Sequence, residues 1–183
     1  MTGSELVGGP EKRAIIVADY DPAWVNVFEE HRARLMDGLG ARAIRIEHVG
    51  STAVPGLAAK PIVDIQLSVA NVEDEQAYVP PLEEAGYCLR VREPGHRMLR
   101  VFDVVHLHVC TTGTEWERRH ILFRDWLRND AEDRELYDKT KRELARKNWE
   151  TMNHYADAKS AQIALISIRA ERWARAVHWN FDS

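Results

Sequence analysis

Cysteine is scarce in this 183-residue sequence, which holds only Cys88 and Cys110. Their separation does not suit a zinc knuckle, and two thiols do not make a disulfide framework for a chain of this size, so a reducing, cytoplasmic setting is the simplest reading. Long apolar runs are missing as well. No uncharged apolar stretch reaches the roughly 18 residues a membrane helix needs, and MTGSELVGGPEKR at the N-terminus has no apolar run of signal-peptide length. A protein outside the membrane and not exported is expected. Positive charge is not in excess, since the formal net charge is -4. That disfavours tracking of an extended nucleic acid and leaves small anionic ligands, held by a local basic pocket, as the expected partners. Nothing in the composition speaks to an oligomeric state.

What the chain does have is enough apolar residue, 45%, to fill one real core. The organisation expected is a flexible N-terminus over residues 1–13 and a single domain over 14–183. In DPAWVNVFEEHRARLMDGLG, Asp21 is placed as N-cap and Pro22 at the first helical position, Trp24, Phe28 and Leu35 share a face, and Gly38 and Gly40 are stop signals. ARAIRIEHVG then reads as a strand, and NVEDEQAYVPPLEEAGY as helical on either side of Pro80 and Pro81. YCLRVRE, HRMLRVF and VVHLHVC read as three further strands. With the alternating run Pro61–Val69, five strands are expected. After Thr114 the period changes to 3.6, with Trp116, His120, Phe123 and Leu127 on one stripe and Leu136, Thr140 and Leu144 on the next. The fold class is α+β: a mixed five-stranded sheet with flanking helices, closed by a helical layer over residues 114–183.

In the run Pro61–Val69, Val63, Ile65, Leu67 and Val69 form an apolar face, while Asp64, Gln66 and Ser68 share the other face with Ile62. A lone carboxylate is costly to bury, by several kcal/mol, so Asp64 is expected to be partnered, to face a cleft, or to hold a metal. In VVHLHVC, His106, His108 and Cys110 share one face, a spacing that suits a transition metal for the imidazoles. Here His106 is read as a hydrogen-bonded strand histidine, His108 as functional and Cys110 as core filler. Glu47 and His48 enter the following turn on opposite faces, so one of them faces the cleft. Either Glu47 joins a metal, or His48 contacts phosphate or serves as a base. Of the cations, Lys60, Arg119 and Lys159 matter if the helical layer leans over that cleft, and Arg118, Arg124 and Arg128 read as surface charges.

The run HVGSTAVPGLAAKPIVDI, followed in order by HLHV, RRHILFRDWLR and YADAKS, resembles the GrpB family, small proteins similar to the polymerase-β-type nucleotidyltransferases. That resemblance implies a nucleotidyltransferase-like sheet and a Gly-Ser turn, here Gly50 and Ser51 with Thr52, whose N–H groups bind phosphates. It also implies acidic residues on two strands holding divalent ions, Mg²⁺ or Mn²⁺, with ATP or another nucleoside triphosphate as substrate. Asp64 matches the first acid, and YADAKS supports Lys159 as a phosphate ligand. The second acid is replaced by Gln66, a poorer ligand for a hard cation. The third strand offers histidines, so a single or softer ion is conceivable, held by Asp64 with Gln66, His108 or Glu47.

Two functions follow. One is nucleoside-triphosphate-dependent transfer to, or activation of, a small acceptor, with Asp64 and His108 as the catalytic candidates. The other is a non-catalytic nucleotide- or phosphate-binding accessory domain with a degenerate metal site, in keeping with the fusion of GrpB-like domains to a coenzyme A biosynthetic kinase.

Overall fold

The computed structural model describes residues 4–9 and 15–181, and its first long element is the helix the sequence predicts. Helix α1 (Ala23–Leu39) begins where the Asp21 carboxylate accepts a hydrogen bond from the Ala23 N–H at 2.9 Å, with Pro22 between them. A side-chain acceptor satisfies an otherwise orphaned N–H there, and proline has none to lose. Gly38 remains helical, and Gly40, at φ +55°, ends the helix in a conformation that Cβ-bearing residues avoid. Trp24, Phe28, Leu35 and Leu39 are buried with His31, whose Nδ1 lies 2.7 Å from the Tyr87 hydroxyl.

The sheet contains β1 (Glu5–Leu6), β2 (Arg45–Val49), β3 (Val63–Val69), β4 (Cys88–Glu93), β5 (His96–Val101) and β6 (Val105–Thr111). Their order is β1-β4-β5-β6-β3-β2, with β3 and β6 parallel and every other pair antiparallel. The five predicted strands are present as β2 to β6, and the count becomes six through β1, which pairs with β4 at the edge. Two residues are too short to leave a periodic signal, which is why β1 goes unseen in the sequence. Of the N-terminal stretch read as flexible, residues 1–3 and 10–13 lie outside the described residues, as does residue 14.

Period-2 alternation sends Val63, Ile65, Leu67 and Val69 of β3, with Val105, Leu107 and Val109 of β6, into one core cluster shared with α1 and with α2 (Val79–Glu84). Pro80 and Pro81 do not break a helix as predicted. They sit in the first turn of α2, where a missing N–H costs nothing, and a short 3-10 turn, Glu75–Ala77, precedes it. The opposite sheet face is polar and is roofed by α3 (Glu115–Asn129), α4 (Ala131–Ala145), α5 (Met152–Ala158) and α6 (Ser160–Val177). No helix among the described residues is long and apolar enough to cross a membrane.

Because that face is polar, the buried stripes of α3 and α4 differ from the apolar ones read in the sequence. In α3 the buried residues are Glu117, Ile121, Leu122, Arg124 and Leu127, while Trp116, His120 and Phe123 are half-buried. Glu117 accepts a 2.5 Å hydrogen bond from the Ser68 hydroxyl, and Arg124 donates to Glu47 at 2.6 Å. In α4 the buried residues are Asp133, Tyr137, Lys141 and Leu144, and Leu136 faces solvent. A stripe traced through apolar residues alone misses a face whose packing partners are charged.

Candidate functional site

The parallel pairing of β3 with β6 sets Asp64 beside His106 and Gln66 beside His108 on the polar face. Above them α4, α5 and the α5–α6 junction enclose a pocket of about 360 Å³. Asp64, His106 and His108 meet on its floor, with His106 Nδ1 at 3.4 Å and His108 Nε2 at 3.5 Å from the same carboxylate oxygen. These separations are long for hydrogen bonds. They fit neighbours around an ion instead, since two ligand atoms each about 2.1 Å from a metal at a tetrahedral angle lie roughly 3.4 Å apart. One potential ligand atom from each residue lies within 4.8 Å of the others. Burial acts to raise the Asp64 carboxyl, and the two imidazoles act to lower it wherever they present an N–H or a positive charge to it, an effect that then outweighs burial.

The walls carry basic side chains. Lys60 precedes β3, Lys141 stands on α4 and Lys159 at the α5–α6 junction, and Ser51 and Tyr155 complete the lining that matters here. Lys159 Nζ lies over the Tyr155 ring at 4.7 Å. Burial lowers the pKa of Lys159, opposed by the nearby charge of Asp64. Lys141 is almost wholly buried, donates to the Ala58 carbonyl, and is brought down to about 7 chiefly by burial. The amino groups of Lys60 and Lys159, from separate elements around one carboxylate, suit a polyanion such as a chain of phosphates, and Lys141 adds to them when protonated.

Burial of Lys141 makes stability depend on pH. With a folded value of about 7 against an ordinary 10.5, the unfolded chain holds more protons than the folded one between those limits. Stability therefore rises with pH across that window, with a slope of up to about 1.4 kcal/mol per pH unit. Urea unfolding of the parent and of Lys141→Met at pH 7 and pH 9.5 should show a gain of a few kcal/mol in the parent that the variant lacks. Parallel behaviour of the two proteins would rule out a displaced Lys141 titration.

Of the residues singled out in the sequence, the structure brings Ser51, Thr52, Lys60, Asp64, His108 and Lys159 to the pocket. The Thr52 hydroxyl is engaged elsewhere, 3.0 Å from His48 Nε2. Gly50, at φ +70°, packs directly under the Asp64 carboxylate. Gln66 is fully buried but does not line the pocket, and its amide nitrogen and oxygen have no hydrogen-bond partner among the described residues. Glu47 faces the polar side, as one alternative held, but its carboxylate is taken by Arg124 and it stands apart from the group of Asp64, His106 and His108. His48 points the other way, stacked on Phe28 at 5.0 Å and brought down to about 4 by burial.

Arg119 is exposed on α3 and does not line the pocket, while Arg118 pairs with Glu171 and Arg128 donates to the Ala53 carbonyl. Cys110 is core filler, pushed up to about 12 by burial. The sequence reading missed Lys141 and Tyr155 and set His106 aside. Lys141 left a faint mark, a lysine four residues after Tyr137 and three before Leu144 on one helical stripe. Tyr155 and Lys159 stand four apart, hence on one face, within the quoted YADAKS.

Comparison with known proteins sets this chain among relatives. The model of the family described as GrpB protein matches residues 14–169. A UPF0157 protein of Streptomyces coelicolor is 50% identical over 171 residues, covering 93% of this chain and 91% of that protein. The crystal structure of the conserved protein GrpB from Enterococcus faecalis superposes with a TM-score of 0.75 at 33% identity, covering 86% of this chain and 99% of that one. A Mycobacterium leprae protein named dephospho-CoA kinase is 28% identical over 189 residues, covering 87% of this chain and 47% of that protein.

Proposed function

This chain belongs to the GrpB family, and we propose that its pocket binds a nucleoside triphosphate with one divalent ion and serves transfer to, or activation of, a small acceptor. The observation that carries this is the meeting, in one pocket, of Asp64, His106 and His108 at ion-ligand spacing with the amino groups of Lys60, Lys141 and Lys159. A set of one carboxylate and two imidazoles favours Mn²⁺, Zn²⁺ or another transition ion over Mg²⁺, which prefers oxygen ligands. When bound, such an ion neutralises developing charge on phosphate oxygens. The chain's own residues would do the rest. The lysines hold the phosphates, Ser51 offers a hydroxyl beside them, and the helical roof limits access of water.

One observation favours a second reading, a binding domain without turnover. The position of the second acid holds Gln66, which is buried away from the pocket, so a two-ion arrangement lacks its carboxylates. A match to about half of a protein named for a kinase suits a domain of this kind that accompanies another activity.

Thermal-shift measurements with ATP, ADP, AMP and inorganic phosphate, each with Mn²⁺, Zn²⁺, Mg²⁺ or EDTA, test both readings. ATP with Mn²⁺ or Zn²⁺ should raise Tm, equivalent to about 2.7 kcal/mol at a ligand concentration of 100 Kd. Lys159→Ala should weaken ATP binding more than AMP binding, because a point charge on the roof meets the added charge of the distal phosphates. The absence of any nucleotide effect with every ion would sink the proposal. Binding without pyrophosphate or phosphate release in the presence of small hydroxyl and amine acceptors would select the second reading.

A further inference from the structure

Beyond the pocket floor, His108 continues into a line of polar groups that leads along the polar face of the sheet to its surface. Its Nδ1 lies 3.1 Å from His96 Nε2, and His96 Nδ1 lies 3.2 Å from a carboxylate oxygen of Glu93. Antiparallel pairing of β5 with β6 sets His96 diagonally beside His108 on one face. Trp116 of α3 stacks on His96 with ring centroids 4.5 Å apart, and His120 stacks on Trp116 at 3.8 Å. His96 is only 7% exposed, whereas the Glu93 side chain is 42% exposed. The line thus starts at solvent and ends at Asp64, and the stacked rings hold its middle in place.

Three contacts join four groups in the order Glu93, His96, His108, Asp64. The carboxylates at either end can only accept, and two neutral imidazoles have one N–H each. In the state where both imidazoles are neutral, two protons cannot serve three contacts, so one contact has none. The outer two have hydrogen-bond length, and the contact between His108 Nε2 and Asp64, at 3.5 Å, does not. The proton is therefore missing at the pocket end. Glu93 accepts from His96 Nδ1–H, His96 Nε2 accepts from His108 Nδ1–H, and His108 Nε2 turns its lone pair toward the Asp64 carboxylate. Two acceptors facing each other repel unless a cation lies between them.

We propose that Glu93 and His96 are positioning residues that fix His108 as its Nδ1–H tautomer and so present an ion-ready Nε2 at the pocket floor. This rests on the metal reading above for its purpose, though not for its geometry. Histidines that bind metals generally have their other ring nitrogen held in this way, and loss of such a partner costs about 10–100-fold in metal affinity.

Two-bond ¹H–¹⁵N correlation spectra of the metal-free parent at pH 8 should show the His108 proton on Nδ1. His96→Gln, whose amide oxygen still accepts from His108, should keep Co²⁺ and Zn²⁺ affinity within a few-fold, while His96→Leu should lose roughly 10–100-fold and alter the Co²⁺ absorption bands. Glu93→Ala, at a half-exposed position that leaves the stack intact, should populate both His108 tautomers and gives the same comparison should His96→Leu fail to fold. A His108 proton on Nε2 in the parent, or His96→Leu that folds and takes Co²⁺ as tightly as the parent, would overturn the proposal. A parent that binds no metal yet shows the Nδ1–H tautomer supports the positioning role while removing the metal reading of the pocket.

Discussion

Asp64→Asn is expected to reduce Mn²⁺ or Zn²⁺ affinity by more than about 100-fold, since altering outer-shell partners alone costs roughly 10–100-fold and Asp64 is placed as a direct ligand. The substitution keeps the shape and one oxygen, and removes the charge. His106 and His108 stay in place because their strands are fixed by the β3–β6 and β5–β6 ladders rather than by the carboxylate. Two imidazoles remain, which is too little to retain an ion against water at low micromolar concentration. Nucleotide binding that needs the ion should fall with it, while any phosphate affinity from Lys60, Lys141 and Lys159 alone should persist in EDTA. Calorimetry separates the two. Unchanged ion-dependent ATP binding in the variant would mean that Asp64 is not a ligand.

Gly50→Ala should destabilise the protein and also empty the ion site. A residue with Cβ at φ +70° carries about 1–3 kcal/mol of backbone strain. At this position the added carbon would also overlap Asp64 Oδ2 and come within 3.0 Å of Asp64 Cβ and 3.1 Å of its Cγ. The neighbour that must yield is the carboxylate itself. The sequence suggests glycine at this turn so that phosphate can approach closely, but the structure shows it is needed first so that Asp64 can fit. Gly56→Ala is the control, since Gly56 has φ +79° and nothing within 4 Å of its would-be Cβ. It should show strain alone, with metal affinity intact. Equal losses of stability and equal metal affinity in the two variants would show that the Gly50 contact with Asp64 contributes nothing.

Where the sequence anticipated which side chains share a strand face, the information was local. Alternation along Pro61–Val69 puts Asp64 opposite the core face, and alternation along VVHLHVC puts His106 and His108 together, because successive side chains of a strand must point to opposite sides. Neither run says that the two strands are neighbours, parallel, and in the register that sets Asp64 beside His106. That register decides which imidazoles the carboxylate meets. His106, set aside as an ordinary strand histidine, becomes a ligand candidate by this pairing, and Gln66, two residues from Asp64, falls behind the pocket wall.

The helical roof divides in the same way. Its existence and its period follow from the sequence after Thr114, and Lys159 comes from the resemblance to a family. Which face of each helix turns inward does not, because Glu117, Arg124, Asp133 and Lys141 are buried through partners far away in the chain. The five longer strands, the long helices, the polar face and the turn at Gly50 were legible in the residues alone, since these depend on the conformational preferences of near neighbours. The meeting of Asp64 with His106 and His108, the Glu93–His96–His108 line and the burial of Lys141 emerge only once the chain is folded. Each of these depends on distances between segments far apart in the chain, and those are set by packing and strand register rather than by any local preference.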